Sequence, residues 1–389
     1  MRVPKPLFLL LWSLLLAVLV AAFWFIFNPM GLGPEPARVL EPAFFAIPAE
    51  RLSGLELLVD GPEAFAKIVE TVDAAESSIL VQTYIWKDDR TGMEVAERLK
   101  AAARRGVKVT IRKDLLGTFF ELDDMLKGRP SPVFTKSGLR GYANIDVDLD
   151  VWADTDHSKY FIVDGRLVIF GGMNIADEYH RLWHDYMVVL RGQRWTEAFA
   201  AKVLEGTPWP QPSPLVLAVN DERATEIRTA LIEMVDNARD RVVLEHAYFS
   251  DLKVIKALER AAAKGVKVDL ILPRQPDTHV YANLVTINRL LRSGPAGSVD
   301  IYLYPQMSHA KVVLTDGVIA AVGSANLTPR SMLTSREVTL FVHAARNDPF
   351  IRRLRDQLEA NIAASAKVVA PFKLTMAEQI MAWVGKWVW

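Results

Sequence analysis

Apolar and polar positions along this chain fall into a helical rhythm and a strand rhythm, and the same succession occurs twice. In the first run, Phe65, Ile68, Val69 and Val72 mark one face of a helix, residues 79–86 read as a strand, 93–105 as a second helix, and Gly106-Val107-Lys108-Val109 as the start of another strand. In the second run, Ile227, Ala230, Leu231, Met234 and Val235 repeat the helical face, followed by a strand over 242–248, a helix over 252–264 and Gly265-Val266-Lys267-Val268. The two runs stand about 155–160 residues apart, too far for a solenoid repeat. Helix and strand alternating in duplicate predict an α/β protein with a largely parallel or mixed sheet covered by helices.

Three stretches break the pattern. Residues 7–27 are apolar except for Ser13, and as a helix they would extend about 31 Å, close to the roughly 30 Å hydrocarbon thickness of a bilayer. Arg2 and Lys5 precede this run and the next basic residue is Arg38, so the positive-inside rule places the N-terminus in the cytoplasm and the remainder outside. A cleaved signal peptide is the alternative; the run is longer than a typical apolar core of that kind and ends in Phe23-Trp24-Phe25, although Gly31-Leu32-Gly33 offers a small-x-small site. Pro208, Pro210, Pro212 and Pro214 bar helix and inner strand and mark a joint. The tail carries Leu374, Ala377, Met381, Val384 and Val388 on one helical stripe with Trp383, Trp387, Trp389, Lys373 and Lys386 beside it, which suits either a bilayer interface or a helix docked on the core. The expected organisation is an anchor at 1–30, a linker at 31–45, a first half at 46–206, a Pro-rich linker at 207–214, a second half at 215–365 and the Trp-rich tail at 366–389.

Composition narrows the chemistry. The 389 residues include 46 Lys plus Arg and 46 Asp plus Glu, a neutral balance that argues against a nucleic-acid partner, for which a basic excess is the usual footprint. There is no cysteine, so thiolate catalysis and Cys-based zinc sites are excluded.

Each half carries the same motif. His157-Ser-Lys159 leads to Asp164-Gly165 and, after an apolar run, to Gly171-Gly172-Met-Asn174; His309-Ala-Lys311 leads to Asp316-Gly317 and then to Gly323-Ser324-Ala-Asn326. Asp-Gly between apolar runs signals a hairpin. On a strand, the i, i+2 spacing puts each His and its Lys on one face, while the Asp falls in the turn, placed to hold backbone. Small residues before each Asn leave room for a phosphate to approach the main chain. If the halves pack about a pseudo-twofold axis, two imidazoles and two ammonium groups converge. One neutral imidazole can attack phosphorus to give a phosphohistidine while the other, protonated, serves the leaving oxygen and later activates the acceptor. The lysines and the Asn amides stabilise the non-bridging oxygens, so the scheme needs neither metal nor cofactor.

These motifs resemble the phospholipase D superfamily, whose signature is His-x-Lys-x-x-x-x-Asp in duplicate, over residues 57–342. Tyr84-Ile85-Trp86, the run from Gly171 to Tyr179, and Gly323-Ser324-Ala325-Asn326-Leu327 are similar to the bacterial cardiolipin synthase branch. The resemblance implies a duplicated α-β-α sandwich with two pseudo-twofold-related halves, here behind an N-terminal transmembrane helix. It further implies an acid behind each histidine, for which Asp185 and Glu337 are the matching positions, each 28 residues after its own His and each orienting the His of the opposite half. It implies His157 as nucleophile and His309 as acid/base, an order that the symmetry of the motifs leaves open. The implied function is phosphatidyl transfer between phospholipids, cardiolipin synthase-like, with phospholipid hydrolysis or a membrane-anchored nuclease as alternatives. The implied partners are a phospholipid substrate and the bacterial inner membrane, crossed once, with the catalytic domain on the periplasmic side. Ser158 stands where the synthases often carry a basic residue.

Overall fold

The computed structural model describes residues 32–46, 51–136, 138–150 and 155–388. The expected transmembrane helix at 7–27 lies outside them; among the described residues no helix is long and apolar enough to cross a membrane. The first half holds β1 (Leu55–Val59), β2 (Ser78–Thr83), β3 (Lys108–Asp114), β4 (Ile145–Asp150), β5 (Thr155–Asp156), β6 (Tyr160–Val163), β7 (Leu167–Gly171) and β8 (Tyr186–Arg191). The second holds β9 (Leu215–Asn220), β10 (Arg241–His246), β11 (Lys267–Pro273), β12 (Val299–Tyr304), β13 (Lys311–Thr315), β14 (Ile319–Gly323), β15 (Ser335–His343) and β16 (Ala366–Lys367).

The duplication is visible strand by strand. The first sheet runs β1-β8-β7-β6-β2-β3-β4, and the second contains the same order, β9-β15-β14-β13-β10-β11-β12, with β16 beyond its far edge. In each, three strands are parallel and joined through helices (β2-β3-β4, β10-β11-β12), and the other strands of the shared order pair antiparallel, with tight hairpins at β6-β7 and β13-β14, so both sheets are mixed. The crossover helices Arg90–Arg104 and Leu252–Ala263 start alike: Asp89 accepts from the Gly92 amide, and Asp251 from the Lys253 and Val254 amides. They also end alike, on Gly106 and Gly265 at φ 96° and 90°, the left-handed region that lets the chain turn back into the next strand.

The period-two alternation divides the first sheet between two cores. Phe161, Val163, Ile169 and Val189 pack with the helices outside, whereas Tyr160, Ile162, Phe170, Val188 and Leu190 belong to the core shared with the second half. The halves also exchange backbone. β5 leaves its own sheet to pair in parallel with the start of β15. The His157 amide donates to the Arg336 carbonyl at 2.9 Å, and the His309 amide to the His184 carbonyl at 2.7 Å. Each motif histidine is thereby tied by its main chain to the residue preceding the other half's acid. The tail forms a helix, Met376–Val388, seated against the helices Val280–Leu290 and Pro329–Leu333. Its buried contact is Ala382, and the stripe residues Met381 and Val384 remain exposed with Met376, Ile380 and Trp383.

Candidate active site

His157 and His309 lie in the short links just before β6 and β13, not within the strands as the spacing had predicted, and Lys311 opens β13. The hairpins that follow hold these links in place. Asp164, at φ 53°, accepts from the amides of Glu76, Ser77 and Ser78; Asp316, also at φ 53°, accepts from those of Arg239, Asp240 and Arg241. Both aspartates therefore bind the start of the neighbouring parallel strand, away from the site.

The two halves complete each other's histidines. His157 Nδ1 meets Glu337 Oε1 at 2.9 Å, and His309 Nδ1 meets Asp185 Oδ2 at 2.8 Å. A carboxylate accepting from Nδ1–H leaves the lone pair on Nε2. Each acid is itself held: Asp185 Oδ1 accepts from the Tyr186 amide at 2.8 Å, and Glu337 accepts from Ser324 Oγ at 2.5 Å and Ser331 Oγ at 2.8 Å. Here the structure corrects the reading of the small residues. A Cβ on Gly172 would stand 2.4 and 2.5 Å from the Asp185 carboxylate oxygens, so Gly172 makes room for the acid rather than for a phosphate. Ser324, its counterpart, has space for a hydroxyl and uses it on Glu337.

Lys159 Nζ donates to the His157 carbonyl at 2.5 Å and lies 5.4 Å from the Tyr84 ring centroid; Lys311 Nζ lies 2.9 Å from His309 Nδ1. The asparagines differ. Asn174 Oδ1 accepts from the Ile85 amide at 3.0 Å, whereas Asn326 Oδ1 is buried without a hydrogen-bond partner among the described residues.

Burial and mutual charge govern the protonation of this cluster. Burial, with Lys159 and Lys311 nearby, holds the His157 imidazole well below its usual range, and burial with the same two lysines does so for His309. Burial lowers Lys159 to about 7 and Lys311 to about 8 against the pull of Glu337 and Asp185. It raises Asp185 to about 7 and Glu337 to about 8 against the pull of the lysines. An anion entering the cluster would favour the charged form of both lysines.

Both histidines, with Asn174 and Asn326, line one cavity of about 650 Å³ between the halves. Its first-half wall has an apolar stretch, Ile85 with Leu116, Phe119 and Phe120 from the 3-10 helix Leu116–Glu121, beside the Lys87–Glu178 ion pair. Its second-half wall is polar, built from Asp277, Thr278 and His279. Tyr84 stands 4.9 Å edge-on to His157, and Tyr179 and Trp183 stand 5.2 and 5.7 Å from His309. Tyr84 and Tyr248 both line the cavity. Reading the sequence missed Ser331, whose position corresponds to Tyr179 in the other half, and it passed over His184. That imidazole is buried behind His309, bonded to Asp60 at 2.6 Å and 3.6 Å from Glu245. Their charges hold it protonated, up to about 10, against the opposing effect of burial.

Two mixed sheets in duplicate, with a His-x-Lys pair from each bringing its histidine to one cavity, define a protein of the phospholipase D superfamily. The chain belongs to the family described as cardiolipin synthase, PLD-like domain, whose model matches residues 68–205 and 231–362, and it is an enzyme of that superfamily. It is 29% identical over 328 residues to the major cardiolipin synthase of Bacillus subtilis, covering 75% of this chain and 66% of that one. It is 27% identical over 347 residues to cardiolipin synthase B of Escherichia coli K12, covering 81% and 82%. In fold it is similar to the phosphatidylserine synthase of Haemophilus influenzae, with a TM-score of 0.65 at 14% identity over 94% of this chain and 95% of that one.

Proposed function

We propose that the chain is a cardiolipin synthase-like phosphatidyltransferase working through a phosphohistidine, with two units spanning about residues 46–206 and 215–365 that share one site. The observation that carries the reading is the crossed pairing, His157 with Glu337 and His309 with Asp185, around one cavity, with Lys159 and Lys311 set against the two histidines. With its Nδ1 engaged by Glu337, His157 presents Nε2 to phosphorus. His309 passes a proton to the departing alkoxide and later takes one from the acceptor hydroxyl. Lys159, Lys311 and the amides of Asn174 and Asn326 stabilise the charge on the non-bridging oxygens.

The apolar wall supports a lipid as donor. Leu116 and Phe119 line the cavity and also face solvent, and the segment continues through Leu122 and Met125 to Leu126, which is 86% exposed. Such a rim can enter a bilayer surface, deliver acyl chains to the cavity mouth and leave the headgroup among the lysines. In this reading residues 7–27 anchor the chain once in a bacterial inner membrane, with the catalytic halves on the periplasmic face. Hydrolysis is the second reading, since water can replace the acceptor at His309. Purified protein in vesicles of labelled phosphatidylglycerol separates the two. Cardiolipin and released glycerol are expected, whereas phosphatidic acid as sole product overturns transfer.

A further inference from the structure

The cavity is unequal in a way that catalysis through the paired motifs does not require. The loops after β3 and β11 occupy equivalent places in the two halves, yet one supplies Leu116, Phe119 and Phe120 and the other Asp277, Thr278 and His279. The polar loop is firmly set. The Tyr248 hydroxyl donates to Asp277 Oδ1. The His279 ring stacks on the Tyr248 ring at 4.6 Å and 24°, and Thr278 Oγ1 lies 3.0 Å from His279 Nδ1. Asn283 ties the following helix to the end of β10 through the Phe249 amide at 2.8 Å and the Ala247 carbonyl at 2.9 Å. This cluster sits on the His309 side: the Tyr248 ring is 6.2 Å from that imidazole, and Asn326 lines the same cavity.

We propose that Asp277 and His279, steadied by Tyr248, form a subsite for the polyol headgroup of the acceptor, a glycerol-type group with neighbouring hydroxyls. The inference rests on the transferase reading and names its second substrate by chemistry. A carboxylate has lone pairs for more than the single phenol donor it holds, and an imidazole can donate or accept, so the pair matches hydroxyls that do both. A cationic headgroup fits less well, because Lys159, Lys311 and Arg330 already place positive charge around the cavity. In the transfer step the acceptor oxygen forms its bond to phosphorus as the bond from phosphorus to His157 Nε2 breaks, the electron pair returns to that nitrogen, and the hydroxyl proton passes to His309. Holding the remaining hydroxyls on Asp277 and His279 sets the attacking oxygen beside His309 and shields the intermediate from water.

The test uses the full chain in phosphatidylglycerol vesicles with added isotope-labelled glycerol or 1-propanol, reading labelled phosphatidyl-alcohol against phosphatidic acid. Asp277→Asn and, separately, His279→Ala are expected to lower the ratio of transfer to hydrolysis with glycerol about tenfold, the worth of one hydrogen bond to a charged group. The 1-propanol ratio should hold steady. Unchanged glycerol preference in both variants overturns the subsite while leaving the transferase reading intact. Inhibition of the unaltered chain by ethanolamine that Asp277→Asn relieves overturns it in favour of an ammonium site. Phosphatidic acid as the only product of the unaltered chain, with every acceptor, removes the transferase reading and the subsite with it.

Discussion

Adding a single methyl group at Gly172 tests whether the acid behind His309 matters by its position. In Gly172→Ala the new Cβ would stand 2.4 Å from Asp185 Oδ1, a contact that real Cβ atoms essentially never make below 3.0 Å, so the carboxylate must retreat by about 0.6 Å or more. It cannot turn aside freely, because Oδ1 is held by the Tyr186 amide at 2.8 Å and Oδ2 by His309 at 2.8 Å. A retreat of that size stretches the imidazole contact to roughly 3.4 Å, past good hydrogen-bond geometry. Misplacement of a catalytic group on this scale costs on the order of 10- to 100-fold in kcat, with KM nearly unchanged because the lipid contacts remain. Ser324→Ala is the paired control: it adds no bulk and removes one donor from Glu337, for a loss on the order of tenfold or less. Steady-state turnover of labelled phosphatidylglycerol, with thermal unfolding run alongside to show intact folding, gives the comparison. Gly172→Ala within threefold of the unaltered enzyme would refute the argument that Asp185 must hold its place.

The pH profile carries a second expectation. With Lys159 lowered to about 7 and Lys311 to about 8, ammonium charge is lost as pH rises through that range, so kcat/KM should fall between about pH 7 and 9. Bound phosphodiester anion favours the protonated lysines, so the alkaline limb of kcat should lie higher than that of kcat/KM. His184→Gln leaves Glu245 buried beside an uncharged partner and should destabilise folding by about 3–5 kcal/mol in urea titrations. Paired Phe119→Asp and Leu126→Asp substitutions remove two exposed apolar anchors of about 1.5–3 kcal/mol each, so vesicle binding should drop at least tenfold while turnover of dispersed short-chain lipid persists.

Much of this architecture was legible because it is written twice. The helical faces at Phe65 and Ile227, the Asp-Gly hairpins and the Gly-Val-Lys-Val strand starts are local patterns with one physical solution, and the sheets repeat the same strand order. The approach of the motifs was likewise foreseeable, since a duplication packed on itself brings like positions together. The departures from the repeat were not legible. That Gly172 yields space to a carboxylate depends on how the ends of the paired strands β7 and β8 lie together, and that Asn326 lacks the backbone partner Asn174 has is a detail of tertiary placement. The His184–Glu245 pair was invisible because neither residue repeats and their contact is purely tertiary. The contrast between the apolar Leu116 loop and the polar Asp277 loop was present in the letters, yet only the shared cavity gives it meaning.

The central claim is that one phosphorus atom is handed to His157 while His309 manages the protons. Acid- and base-controlled quenching of the enzyme with phosphorus-labelled phosphatidylglycerol, followed by peptide mapping, reads that intermediate directly. The account predicts label on the His157 peptide, none after His157→Ala, and accumulated label on His157 in a His309→Ala variant supplied with a donor whose leaving group needs no protonation. Label on His309, or a turning-over enzyme that never carries phosphorus, would contradict it.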